Sequence, residues 1–158
     1  MRIGDRGFTL IEMMMVFVIM GIVLSLAAPK LTRAAGQMAV RNARNEVSSM
    51  ISLTRAVAVQ NGRRATFIQE GGLVRVELSK GYGSATDTMA VRDLFGQHGV
   101  TVGPSGKLEV PFDPRGFAIP DNSGPDRLIE ISRDGFKDTV CVIGLGKITT
   151  DKCSVLLQ

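Results

Sequence analysis

Glu12 carries the most demanding chemistry in this chain. It sits in the run Gly7-Phe8-Thr9-Leu10-Ile11-Glu12-Met13-Met14-Met15-Val16-Phe17-Val18-Ile19-Met20-Gly21-Ile22-Val23-Leu24, and it is the only charged side chain between Phe8 and Ala28. A carboxylate inside a bilayer-length apolar segment costs about 3 kcal/mol or more, so its presence asks for a compensating group. The suitable group is a cation at the same depth. If the chain is cut after Gly7, the new α-amine of Phe8 is such a cation. Within one chain that amine lies about a turn away in an awkward geometry. From a neighbouring subunit offset along the helix axis it reaches the carboxylate directly. Read this way, Phe8 and Glu12 encode an assembly register.

The remaining reactive side chains form no catalytic constellation. The single histidine, His98, stands in a glycine-rich stretch and reads as a solvated loop residue. No GxSxG, HExxH, Walker or GxGxxG pattern occurs, and Gly144-Leu145-Gly146-Lys147 lacks P-loop spacing and reads as a turn between strands. The chain is therefore read as a non-enzyme with no cofactor and no metal. Asp113, Asp121, Asn122 and Asp126 supply hard oxygen ligands of the kind calcium takes, but their spacing fits no EF-hand. Asp and Asn are common in turns for conformational reasons. Cys141 and Cys153 cannot complete a four-ligand zinc site, and CxxC is absent. In an oxidising compartment they read as a disulfide closing a terminal loop; otherwise they are two unpaired thiols.

Charge is unevenly placed. From Lys30 to Arg64 seven bases (Lys30, Arg33, Arg41, Arg44, Arg55, Arg63, Arg64) meet one acid, Glu46, whereas ten bases and twelve acids follow from Ala65 onward. Polyanion affinity, if any, belongs to the first half. Arg41, Arg44 and Arg55 share a helical face, with Arg63 and Arg64 just beyond. Such a stripe can track phosphates, but no aromatic residues interleave as stacking platforms, so a solvated face is the preferred reading.

These residues need positioning elements. Residues 1–7 form a short basic leader, and Phe8 to Ala28 are twenty-one residues that would span about 31 Å as helix, enough for a bilayer core. Pro29 ends the apolar part and should kink the helix or interrupt its hydrogen bonding. The pattern then stays helical: Ala43, Val47, Met50, Ile51, Thr54, Val57 and Ala58 recur at three- and four-residue steps. Asn61-Gly62 is the stop signal. After it the period changes. Ala65–Gln69 and Leu73–Leu78 flank a glycine turn and predict a hairpin, and Leu128–Ser132 with Thr139–Ile143 predict a second. Gly81–Thr88 reads as a loop. Short strands are expected at Val100–Val102, Leu108–Phe112 and Lys147–Thr150. Helix first and antiparallel strands after is an α+β arrangement. The expected segments are thus 1–7 leader, 8–29 membrane-spanning helix, 30–62 amphipathic continuation and 63–158 antiparallel β domain. With 158 residues, one domain plus an appendage is the natural organisation.

The stretch from Gly7 to Pro29 resembles the class III signal sequences of type IV pilins and type II secretion pseudopilins. Gly7 matches the residue before cleavage and Phe8 the new N-terminus, with Thr9-Leu10-Ile11-Glu12 following. The resemblance implies a prepilin peptidase that cuts after Gly7 and N-methylates Phe8, giving N-methylphenylalanine. It also implies a structural subunit assembled through its N-terminal helix, with Glu12 recruiting the subunit to its neighbours and Pro29 at a helix kink. The implied location is the bacterial inner membrane, single-pass, with the C-terminal domain in the periplasm, then the pilus or pseudopilus. Its implied partners are other pilin or pseudopilin subunits, prepilin peptidase, the membrane and an assembly platform.

Beyond that stretch the chain is similar to the GspH/FimT group of minor subunits, on the helix Arg44–Asn61, the Phe112-x-x-x-Gly116 turn and the hairpin from Leu128 to Ile148. This implies a position at or near the filament tip. The alternative is a DNA-binding minor pilin of FimT type, with contacts at Arg63, Arg64, Lys147 and Lys152. The group's basic GRxR-like motif is here Gly146-Lys147-Ile148-Thr149, with one base kept. The pair Cys141 and Cys153 is compatible with the disulfide-bounded C-terminal loop of many pilins.

Overall fold

A computed structural model describes residues 8–81, 85–120, 127–143 and 146–150, with Pro29 described in its backbone alone. The chain divides into two compact units, Met1–Ala35 and Gly36–Gln158, each considered by itself. One helix, α1, Leu10–Asn61, contributes to both.

In the first unit, every described side chain from Phe8 to Ala28 is exposed. Of the helices among the described residues, α1 alone is long and apolar enough to cross a membrane. Pro29 and its neighbours are helical, so the segment is not interrupted at the proline. The proline still lacks the N–H that an interior helical position would donate.

In the second unit, the helical period turns one face of α1 inward. Ala43, Val47, Ile51, Thr54 and Ala58 are fully buried, with Val40, Met50 and Val57 nearly so. Thr54 satisfies its hydroxyl by donating to the Met50 carbonyl at 2.8 Å, which lets a polar residue sit in an apolar stripe. Gly62 takes φ +60, the left-handed conformation that ends a helix at little cost in glycine.

Among the described residues, eight strands follow in two antiparallel sheets. The first has the order β3-β2-β1-β5, from β1 Ala65–Glu70, β2 Leu73–Ser79, β3 Thr86–Asp93 and β5 Leu108–Phe112. The second has the order β4-β6-β7-β8, from β4 Thr101–Gly103, β6 Arg127–Arg133, β7 Phe136–Ile143 and β8 Lys147–Thr149. Two-residue turns close both hairpins: Gly71-Gly72 between β1 and β2, Asp134-Gly135 between β6 and β7. All four turn residues have positive φ, as such tight hairpins require. Phe67, Phe112, Leu94, Ile129 and Ile131 fill the core with the inward face of α1.

One expectation needs correction. The stretch read as a loop to Thr88 is a strand from Thr86, and it continues to Asp93. A short helix, α2 Leu94–His98, then follows, with Asp93 accepting from the Gly96 N–H and Gly99 in the left-handed conformation. Strand β3 is a sheet edge with nearly every side chain exposed, so it shows no buried–exposed alternation to read.

Candidate functional site

The N-terminal site is built by the first turn of α1. Thr9 acts as its cap: its hydroxyl accepts from the Glu12 backbone N–H at 3.3 Å, and its carbonyl accepts from the Met13 N–H at 3.2 Å. Thr9-Leu10-Ile11-Glu12 is thus half of a capping box, with Glu12 at the third helical position. A carboxylate there gains from the helix dipole. The gain does not remove the need for a cation, because Glu12 has no hydrogen-bond or ion-pair partner for its carboxylate among the described residues. Phe8 is 77% exposed beside it. Gly7 lies outside the described residues.

The basic residues are distributed differently from a simple stripe. Arg41 and Arg55 are exposed on α1, and Arg63 and Arg64 are exposed in the turn after it. Arg44 has left that set. It reaches Asp138 on β7 at 3.1 Å, partly buried, and ties the helix to the second sheet. Lys147 on β8 is exposed and faces the same groove as Arg55. Lys152 lies outside the described residues. The structure therefore brings Lys147 to the helix near Arg55.

His98 is a second correction. It ends α2 and places Nε2 at 2.9 Å from Glu46 Oε2, while Arg92 Nε lies 3.3 Å from the other oxygen of the same carboxylate. Its backbone carbonyl also accepts from the Arg133 guanidinium. Glu46, the lone acid of the basic segment, is thus the anchor that holds β3 and α2 against α1. Arg92 pairs across the sheet with the buried Val74, which turns its side chain toward the helix. No sequence signal joins residues 52 positions apart.

Asp113 organises the turn between β5 and Ala118. Its Oδ1 accepts from the Phe117 and Arg115 N–H groups, each at 2.9 Å, and these are its conformational reason for being an acid. The Phe117 N–H holds the carboxyl below its ordinary range, against partial desolvation, with the Arg115 N–H and guanidinium adding to the effect. Asp121, Asn122 and Asp126 lie outside the described residues. Among the described residues no group of three or more His, Cys, Asp or Glu side chains is arranged to hold a metal. Cys141 on β7 is 5% exposed, lies opposite Thr149 of β8 and is not a free thiol. Cys153 lies outside the described residues.

Comparison with known proteins agrees with both halves of this description. The prokaryotic N-terminal methylation motif matches residues 2–28. An apolar helix headed by that motif, followed by an α+β domain of two antiparallel sheets, supports the type IV pilin superfamily. Among solved structures, the fold is similar to that of the type IV minor pilin FimU of Pseudomonas aeruginosa. One crystal form matches with a TM-score of 0.55 at 21% identity, covering 71% of this chain and 87% of that one. A second crystal form matches with a TM-score of 0.54 at 20% identity, covering 70% and 91%. No curated protein sequence matches.

Proposed function

We propose that this chain is a structural subunit of minor-pilin type, in a type IV pilus or a type II secretion pseudopilus, assembled through its N-terminal helix. One observation carries the reading: the methylation motif heads an apolar segment that is exposed throughout and bears a single unpartnered carboxylate, Glu12. Exposed apolar surface on this scale is covered by lipid or by other subunits. In this reading a prepilin peptidase removes residues 1–7, cutting between Gly7 and Phe8, and N-methylates Phe8. Residues 8–29 then span the membrane or lie in the filament core, 30–62 continue the helix, and 63–158 form the domain. Pro29 marks the change from one helical environment to the other.

The same reading places the protein once across the bacterial inner membrane, domain in the periplasm, at or near the tip once assembled. Cys141 and Cys153 form a disulfide there, which the oxidising compartment sustains. Its partners are the assembly platform and other pilin or pseudopilin subunits, whose Glu12 or Phe8 counterparts complete the charge pair.

The assembly claim has a direct test. Glu12→Val removes the costly charge, so membrane insertion should be retained. Incorporation into filaments, measured by immunoblot of the sheared filament fraction, should fall. Undiminished incorporation would sink the pairing argument.

A second reading, a DNA-contacting minor pilin, rests on the cations Arg55 and Lys147 lining one groove with exposed Arg63 and Arg64 close in sequence to its helical wall. It predicts salt-sensitive retardation of duplex DNA by the full chain in detergent, lost on combined Arg63→Ala and Arg64→Ala substitution.

A further inference from the structure

Two cations stand directly beyond the apolar segment of α1: Lys30 and Arg33, both exposed and both in the first compact unit. Three residues apart on one helix, they share a face, with about 5–6 Å between their Cβ atoms. Neither makes a hydrogen bond or an ion pair among the described residues. The sequence offers them no acid nearby, because Asp and Glu are absent from Met13 to Asn45. The next acid, Glu46, is taken up by Arg92 and His98. In the orientation proposed above these two bases lie on the periplasmic side, whereas the Lys and Arg that set topology gather on the cytoplasmic side. Topology therefore does not account for them.

Depth selects the anion they meet. With the apolar run Phe8 to Ala28 filling the hydrocarbon core as an upright helix, Lys30 stands about 3 Å and Arg33 about 8 Å beyond its last residue. The headgroup layer on each side of the core is about 5–7 Å thick. Lys30 falls within that layer, and Arg33, at its outer edge, can lay its apolar stem back along the helix to reach it. We propose that Lys30 and Arg33 together hold the phosphate of an anionic phospholipid and so pin the subunit in the membrane before assembly. The inference rests on the membrane-spanning reading of α1. A phosphate has oxygens enough to accept from an ammonium and a guanidinium at once. The pin also fixes the depth of Glu12, sixteen residues before Ala28. That is about 24 Å into a core of about 30 Å, so its carboxylate waits about one helical turn from the opposite interface until a neighbouring subunit receives it.

The test uses the full chain reconstituted in phosphatidylcholine vesicles that carry a trace of spin-labelled phosphatidylglycerol or, separately, of spin-labelled phosphatidylcholine. Flotation of carbonate-washed vesicles first establishes insertion, and electron spin resonance then gives the relative association of the two lipids with the protein. The parent should prefer phosphatidylglycerol, and Lys30→Gln and Arg33→Gln should each lower that preference by about fivefold. Arg41→Gln with Lys137→Gln removes the same two charges from exposed sites of the second unit and should keep the preference within about twofold of the parent's. Equal preferences in the parent and the Lys30→Gln, Arg33→Gln double variant overturn the proposal. So does an equal loss in the control pair, which would reduce the effect to net charge. Energy transfer between differently labelled copies that falls in the double variant while lipid preference holds would assign the two cations to acids of a second copy, and overturns it too. A chain that fails to float overturns the membrane-spanning reading and this proposal with it, whereas an inserted chain without lipid preference overturns this proposal alone.

Discussion

Gly146→Ala is a sharp test of how the domain is held together. Gly146 has φ +77, and an added Cβ would stand 3.0 Å from the Gly116 carbonyl oxygen, 3.1 Å from the Phe112 ring and 3.4 Å from the Ala118 nitrogen. Two of these neighbours are backbone, and the third is a fully buried ring, so none can swing away. The left-handed conformation costs an L-residue about 1–2 kcal/mol. Forcing one methyl into a filled site costs about 1–3 kcal/mol more. The sum is about 2–5 kcal/mol, a large share of an ordinary domain stability of about 5–15 kcal/mol. Gly71→Ala is the control, because Gly71 has φ +58 but nothing within 4 Å of its added Cβ. Both variants share the loss of chain entropy in the unfolded state and the backbone strain, so their difference isolates the contact. Thermal unfolding of the full chain in detergent should place Gly146→Ala below Gly71→Ala by about 4–12 °C, taking roughly 4 °C per kcal/mol at this size. Equal Tm values for the two would refute the close approach of the β7–β8 turn to the Phe112–Ala118 loop.

Two further outcomes follow from the same contacts. Glu46→Gln removes the charge that joins α1 to both Arg92 and His98, and should cost about 1–2 kcal/mol. Proteolysis should then shift to β3 and α2, where a mass map of limited-digestion fragments would show it; an unchanged map would contradict the anchoring role. Asp113 predicts a pH dependence. Its carboxyl is held below its usual 3.8 in the folded protein, so on acidification the unfolded chain takes up the proton first. The stability it contributes is therefore present above the usual carboxylate range and lost as pH falls through the lowered value. Asp113→Asn should unfold at lower temperature than the parent at neutral pH, with the gap closing below about 3.8. A gap that stays constant across that range would exclude Asp113 as its source.

What was legible in the sequence follows from what repeats locally. The inward face of α1 could be read because a helix returns each face every three or four residues, and Ala43 through Ala58 keep that period without a break. The β1–β2 and β6–β7 hairpins announced themselves through Gly71-Gly72 and Asp134-Gly135. Strand β3 had neither signal: its side chains are exposed on both faces, and the inward one that matters is the charged Arg92. Helix α2 was marked only by Asp93 and Gly99 at its two ends, a cap pair too short to stand out before the fold is known. The partners of His98 and Arg44 lie 52 and 94 residues away, and no period in the sequence reports a pairing at that distance. Thr9 is the instructive case, since Thr-x-x-Glu is a helix-start signature. Glu12 serves in it twice, giving its backbone N–H to the Thr9 hydroxyl and setting a charge at the head of the apolar run.

The N-terminus itself offers the most direct measurement of the central claim. Intact-mass and fragmentation analysis of the protein recovered from the membranes and filaments of its own host should give a chain that begins at Phe8 and carries one added methyl group on its α-amine. A chain that still carries residues 1–7, or that begins at any other position, would contradict processing between Gly7 and Phe8. It would also leave Glu12 without the cation on which the assembly argument rests.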